Sequence, residues 1–177
     1  MENNKKTIEM FIYVSDLALY NRGIYEWIGL DLMNPAQAKS KYDDFQKERE
    51  EHALFISNTS MTYNLGINEF DNIDFILYMA DIFFSNWSEE QLSVFSDLVN
   101  EGDYEWEKSA EIVNNNDYAL IEIGDCESDE KAVGRYYAEY LAIPENIKPY
   151  FDYERYGRNI LIGTESITNE DYTIIIH

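Results

Sequence analysis

The chain has 177 residues, with 35 Asp plus Glu against 13 Lys plus Arg, a formal net charge of −22. Apolar residues make up 45% and aromatics 15%, enough for a hydrophobic core, which excludes a disordered acidic tail. The charge excludes nucleic acid and anionic membrane as partners and favours a basic one, typically a groove built to hold DNA.

Cys126 is the single cysteine, so an intrachain disulfide is excluded and a reducing compartment is expected. The start, Met1 to Lys6, is polar, and the short apolar run Ile8 to Val14 lacks a small-residue cleavage site, so it does not read as a signal peptide. The apolar stretch Phe75 to Ala80 is bracketed by Asp74 and Asp81 and falls far short of the roughly 20 residues of a membrane span. A soluble, cytoplasmic protein is expected.

Ile8, Met10, Ile12 and Val14 alternate with Glu9, Phe11 and Tyr13, the period of a half-buried strand. Asn21-Arg22-Gly23 reads as a turn and Ile24 to Leu32 as a returning strand. Asn34-Pro35 opens a helix reaching Glu51, with Ala38, Tyr42 and Phe45 at helical spacing, and Ala53 to Ile56 reads as a third strand. From Asp71 the period becomes helical: Ile73, Leu77, Ala80 and Phe84 form one stripe. Ser88-Glu89-Glu90-Gln91 is a capping box opening a helix that buries Leu92, Phe95 and Val99 and ends by Gly102. Tyr104 to Val113 gives a third helix, with Trp106, Ala110 and Val113 inward, broken by Asn114-Asn115-Asn116. Tyr118 to Ile123 reads as a strand, and Ser128 caps a helix burying Val133, Tyr137 and Tyr140. Pro144 and Pro149 imply two short helical pieces over Glu145 to Tyr156, and Thr173 to Ile176 closes the chain as a strand. The expected class is α+β: a mixed α/β segment over 1–68, an acidic helical segment over 69–116 and a mixed α/β segment over 117–177.

Between Ala53 and Glu130 there are eighteen acids and one base, Lys108. The acids that carry the argument are Asp74, Asp81, Glu90, Asp97, Glu101, Asp103, Glu105, Glu107, Glu111, Asp117, Glu122, Asp125, Glu127, Asp129 and Glu130. Asp103, Glu107 and Glu111 recur every four residues, a helical row with steps of roughly 6 Å. Solvated helix faces usually relieve such repulsion with lysines, and here that relief is missing. Ligands of duplex DNA gain much of their affinity by replacing condensed counterions with Lys and Arg, so fixed carboxylate rows offer the same groove comparable charge without base edges. The plainer alternative is that the acidic face is only a solvated face.

Other chemistry is poorly supported. His52 and His177 are the only histidines, one beside a helix end and one at the C-terminus, which argues against a His-based triad or a multi-histidine metal site, and no metal or other cofactor is expected. Asp125, Glu127, Asp129 and Glu130 resemble a calcium loop in composition alone, since the central glycine is missing. There is no P-loop and no dinucleotide fingerprint. Arg135, Arg155 and Arg158 stand in a Tyr-rich tract and read as partners of acids inside the fold or at a subunit contact.

Ile12-Tyr13-Val14, Leu19-Tyr20-Asn21, Gly23, Trp27 and Leu30 resemble the N-terminal signature of the ArdA antirestriction proteins. Gly134-Arg135-Tyr136-Tyr137, Pro144 and the run Tyr150-Phe151-Asp152-Tyr153-Glu154-Arg155-Tyr156-Gly157-Arg158 resemble its C-terminal signature more closely. The resemblance implies an elongated, non-enzymatic acidic homodimer that mimics bent B-form DNA and inhibits type I restriction-modification enzymes at their DNA-binding groove. It also implies genes carried on mobile elements. Dimerisation through the C-terminal part makes Arg135, Tyr136, Tyr137, Tyr150, Tyr153, Tyr156 and Arg158 the expected dimer or fold contacts. Two rivals stand beside it: an acidic adaptor for another basic DNA-binding protein, such as a regulator or nucleoid protein, and a carboxylate-dependent hydrolase.

Overall fold

A computed structural model describes residues 8–49, 52–125 and 127–177. Glu51, the expected end of the first long helix, and Cys126 lie outside them. Among the described residues the chain forms seven α-helices and two three-stranded antiparallel sheets, so its class is α+β. It divides into two compact units, 1–100 and 101–177.

In the first unit, β1 (Met10–Asp16) buries Met10, Ile12 and Val14 completely, as the alternation predicts. It is the central strand of a sheet ordered β2-β1-β3, with β2 (Trp27–Asp31) and β3 (Leu54–Met61) antiparallel on either side. The returning strand starts at Trp27 and not at Ile24. The one-turn helix α1 (Leu17–Tyr20) comes first, Gly23 turns at φ +79°, and the Ile24 N–H donates to the Leu19 carbonyl at 3.0 Å. The third strand continues past Ile56 through a polar tract because a bulge at Ser57 is satisfied locally: its hydroxyl donates to the Tyr13 carbonyl at 3.1 Å and accepts from Ser15 Oγ at 2.8 Å. Helix α2 (Pro35–Lys47) packs on this sheet with Ala38, Tyr42 and Phe45 buried.

Helices α3 (Ile73–Ile82) and α4 (Glu89–Asn100) complete the unit. The Asn72 side chain caps α3, and the capping box of α4 forms in both directions: Gln91 N–H donates to Ser88 Oγ at 3.2 Å, and Ser88 N–H donates to Gln91 Oε1 at 3.0 Å. Leu92, Val94, Phe95 and Leu98 are buried, whereas Val99, expected in that stripe, is half-buried. Phe84, Trp87 and Phe95 pack with ring centroids 5.3–5.7 Å apart.

One carboxylate of this unit is buried. Asp16 caps α1 by accepting from the Leu19 N–H at 3.0 Å, meets His52 Nδ1, and lies 3.6 Å from Arg49 Nε, with no exposed side-chain surface. Arg49 in turn rests 3.9 Å from the centre of the Phe45 ring and donates to Glu26 at 2.7 Å. Burial opposes ionisation of Asp16, but the hydrogen bonds from His52 and the Leu19 N–H outweigh it, and the carboxyl titrates below its ordinary 3.8. The stability it contributes is therefore complete above pH 3.8 and lost as the pH falls through the lower folded value. Asp16→Asn keeps the cap acceptor and removes the charge, and should lower stability by about 1–3 kcal/mol at neutral pH. Urea midpoints across pH should show that gap closing below pH 3.8; a gap indifferent to acid assigns the loss to shape.

In the second unit, α5 (Trp106–Asn115) ends where Asn116 adopts φ +55°, so the asparagine run breaks the helix with a left-handed cap. Ala110 and Val113 are buried, while Trp106 is half-buried. Strands β4 (Tyr118–Glu122), β5 (Glu165–Thr168) and β6 (Tyr172–Ile176) form a sheet ordered β4-β6-β5. Strand β5 escaped the sequence reading, because Glu165, Ser166 and Thr168 carry no apolar pattern. Helix α6 (Asp129–Ala138) is capped by Ser128 and buries Val133; Tyr137 is half-buried, and Tyr140 is 74% exposed because the helix ends before it. In place of two short pieces there is one 3-10 turn, Lys148–Tyr150, and a full helix, α7 (Tyr153–Gly163), capped by Asp152.

Helices α6 and α7 meet backbone to backbone at two glycines. A Cβ on Gly157 would lie 1.7 Å from the Glu130 carbonyl oxygen, and one on Gly134 would lie 1.8 Å from that of Tyr153. Gly157→Ala must therefore part the two helices, and we expect a loss of about 1–3 kcal/mol, read as a lower urea midpoint. An unchanged midpoint would mean that the helices cross elsewhere.

An acidic surface as candidate functional site

The predicted acids separate into three groups once they are placed. Asp81, Glu101, Asp103, Glu105, Glu107, Asp117, Glu122 and Asp125 are exposed and form no ion pair among the described residues. Glu90 is exposed and Asp97 half-buried. The helix positions Glu107 and Glu111 one turn apart, but it starts at Trp106, so Asp103 precedes it, at φ +57°, and does not extend the row on the helix.

A second group is exposed but partnered. Lys39 Nζ lies 3.3 Å from Asp74 and also pairs with Asp43, and Lys108 Nζ lies 3.1 Å from Glu111, so the lone lysine of the acidic stretch is engaged locally.

The third group is drawn into the fold. Glu127, with 13% of its side chain exposed, lies 3.0 Å from Arg135 Nη1, and Glu130 lies 3.8 Å from Arg158 Nε. Arg158 also pairs with Glu154 at 3.0 Å. Burial and a hydrogen bond shared with Glu130 hold the Asp129 carboxyl above its usual range, while the same bond holds Glu130 below it. Of these three acids, Glu130 alone pairs across to α7, through Arg158, while Glu127 pairs with Arg135 of α6 and Asp129 meets Glu130 within the first turn of α6.

The predicted contact residues also divide. Tyr136 and Tyr137 are half-buried against the cluster of Ala119, Ile121, Ala132, Val133 and Ile175, and Tyr153 and Tyr156 pack edge-on to Phe151 at 5.0 and 5.6 Å. Tyr150 is 85% exposed and stands with Tyr140, Leu141, Ile147 and Ile162 among the exposed apolar residues of this unit. The Asp16–His52–Arg49 group was missed entirely; an aspartate directly ahead of a one-turn helix was its single sequence signal. Among the described residues no cluster of three His, Cys, Asp or Glu side chains is placed to hold a metal ion, and no helix is long and apolar enough to cross a membrane.

These features define a class: an α+β protein that displays carboxylates on two compact units and pairs Arg49, Arg135 and Arg158 with acids of their own unit. Residues 12–173 match the family model of the antirestriction protein ArdA, and the chain belongs to that family. It is thereby an antirestriction protein, a class whose targets are restriction enzymes. A search of curated proteins gave no match.

Tyr104 gives a probe of the second unit. Burial, then the neighbouring Glu165 carboxylate, pushes its phenol up to about 12. The stability linked to this proton is complete below an ordinary tyrosine's 10 and is lost as the pH rises toward 12. Ultraviolet titration should show a late-ionising phenol that Tyr104→Phe deletes; an unchanged late phase would place it on another tyrosine.

Proposed function

We propose that the protein inhibits type I restriction-modification enzymes by occupying their DNA-binding groove with carboxylates in place of phosphates. The observation that carries this reading is the exposed acids of 69–125: Asp81 on α3, Glu90 on α4, Glu107 on α5 and Glu122 on β4, with Glu101, Asp103, Glu105, Asp117 and Asp125 in the short connections between elements, most of them forming no ion pair among the described residues. A groove that binds duplex DNA gains affinity by releasing counterions to its Lys and Arg, and folded carboxylates give those cations a partner while offering no base edge. The segment 69–116 supplies most of this charge, and 117–125 continues it. The protein acts as a homodimer through exposed apolar residues of the second unit, Tyr140, Leu141, Tyr150 and Ile162, a set larger than isolated surface residues call for. No catalytic step is involved and no cofactor is used.

The test is plating efficiency of unmodified phage on hosts carrying each type of restriction system, with and without the protein, beside competition against duplex DNA in vitro. Expression should restore plating on type I hosts. Duplex DNA should displace the protein, and binding equivalent to about six phosphate contacts should weaken roughly 10³-fold between 50 and 200 mM salt. Glu107→Gln alone should change inhibition less than about twofold, since many charges share the work. Converting Glu101, Glu105, Glu107 and Asp117 to amides together should abolish it with circular dichroism unchanged. Inhibition lost through neutralising one acid, or binding to a basic regulator that DNA cannot displace, would refute the mimic.

A further inference from the structure

Helix α3 has a surface that charge display does not explain. Asp74, Tyr78 and Asp81 follow one another at i, i+4 and i+7 and so share one helical face, and the tyrosine between the two acids is 57% exposed. A phosphate backbone has nothing that such an aromatic ring would imitate. The same face, with buried Leu77 beneath it and Pro35, Ala36 and Lys39 of α2 opposite, lines a cavity of about 390 Å³ within the first unit.

A cation is already held at this cavity. Lys39 reaches from α2 to Asp74 across 3.3 Å while pairing with Asp43, so the chain's own ammonium neutralises one end. Those contacts hold the Lys39 ammonium above its usual range, the hydrogen bond to Asp43 contributing most. At the other end, Asp81 is exposed and forms no ion pair among the described residues.

We infer that the α2–α3 cavity receives an arginine side chain from the basic partner, an inference that rests on the proposed function. The planar guanidinium would lie against the Tyr78 ring and fork onto the Asp81 carboxylate, with its methylene stem along Pro35, Ala36 and Leu77. Arginine suits this site better than lysine, because it stacks on a ring and bonds a carboxylate through two parallel N–H groups. The cavity adds a fixed anchor to an otherwise distributed charge contact.

The test uses the full chain. Titration with the blocked tripeptides Gly-Arg-Gly and Gly-Lys-Gly, followed by amide NMR, should move the resonances of Ala36, Leu77, Tyr78 and Asp81 with the arginine peptide and much less with the lysine peptide. Tyr78→Leu should weaken binding to a type I enzyme by about tenfold without changing its salt dependence, since no charge is lost, and Tyr78→Phe should restore it. Lys39→Met should strengthen binding more than Lys47→Met, which removes an equal charge from the same helix away from the cavity. Equal effects of the two lysine variants, wild-type binding by Tyr78→Leu, or peptide shifts spread evenly over the acids would each overturn the inference. If Tyr78→Leu is silent while the fourfold amide variant still abolishes inhibition, the cavity fails and the mimic stands; if both variants are silent, the mimic fails as well.

Discussion

Mutual repulsion among carboxylates is the constraint on which the rest of the architecture depends. With 35 acids against 13 bases, a compact state accumulates unfavourable charge that must be outweighed by apolar burial. Each helix of the acidic stretch meets this with a dense inner stripe: Ile73, Ile76, Leu77, Met79 and Ala80 on α3, Leu92, Val94, Phe95 and Leu98 on α4, and Ala110, Ile112 and Val113 on α5. The rings of Phe84, Trp87 and Phe95 add large apolar area where α3 gives way to α4. Carboxylates stay toward water, where high dielectric and counterions reduce their repulsion. The same exposure leaves them available to a partner's cations.

Basic residues are placed with equal economy. Arg49 closes the buried Asp16 group, Arg135 holds Glu127 at the start of α6, Arg158 reaches from α7 to Glu130 on α6, and Lys39 ties α2 to α3. Each pairs with acids of its own unit near a junction of secondary structure. Of these four, Arg49 acts in desolvated surroundings, with 13% of its side chain exposed beside the buried Asp16, whereas Lys39, Arg135 and Arg158 are about half exposed, where an ion pair contributes little. Long-range balance is left uncorrected, and the net charge projects outward.

What could be read from the sequence was whatever a local pattern encoded. The alternation in β1, the two-way capping box at Ser88 and the stripe from Ile73 are periodic or capping signals, and all three appear where the residues placed them. Strand β5 and the second half of β3 are polar and stay in place through pairing with neighbouring strands, which leaves no local trace. Helix α7 was underread because the prolines before it suggested fragmentation, yet both precede the Asp152 cap and do not interrupt the helix. The acids show the same limit. Exposure of Glu107 and Glu111 follows from their place opposite the apolar stripe of α5, and that of Glu101, Asp103, Asp117 and Asp125 from their place in connections, but the withdrawal of Glu127, Asp129 and Glu130 depends on Arg135, Arg158 and a glycine crossing that only folding brings together.

That crossing gives Gly134 and Gly157 a reason in packing alone. Gly134 and Gly157 must lack side chains for α6 and α7 to meet, and their contact brings Glu130 to Arg158. The aromatic residues around them, Tyr136, Tyr137, Phe151 and Tyr156, fill the space such a close crossing leaves at its margins. Substitution is restricted there by geometry, through backbone atoms that cannot retreat. An acid on an exposed helix face is restricted only by sign, since a neighbour one turn away supplies nearly the same potential. Backbone geometry therefore fixes residue identity where α6 and α7 cross within the second unit, while an exposed carboxylate can be moved by a turn with little change in the surrounding potential.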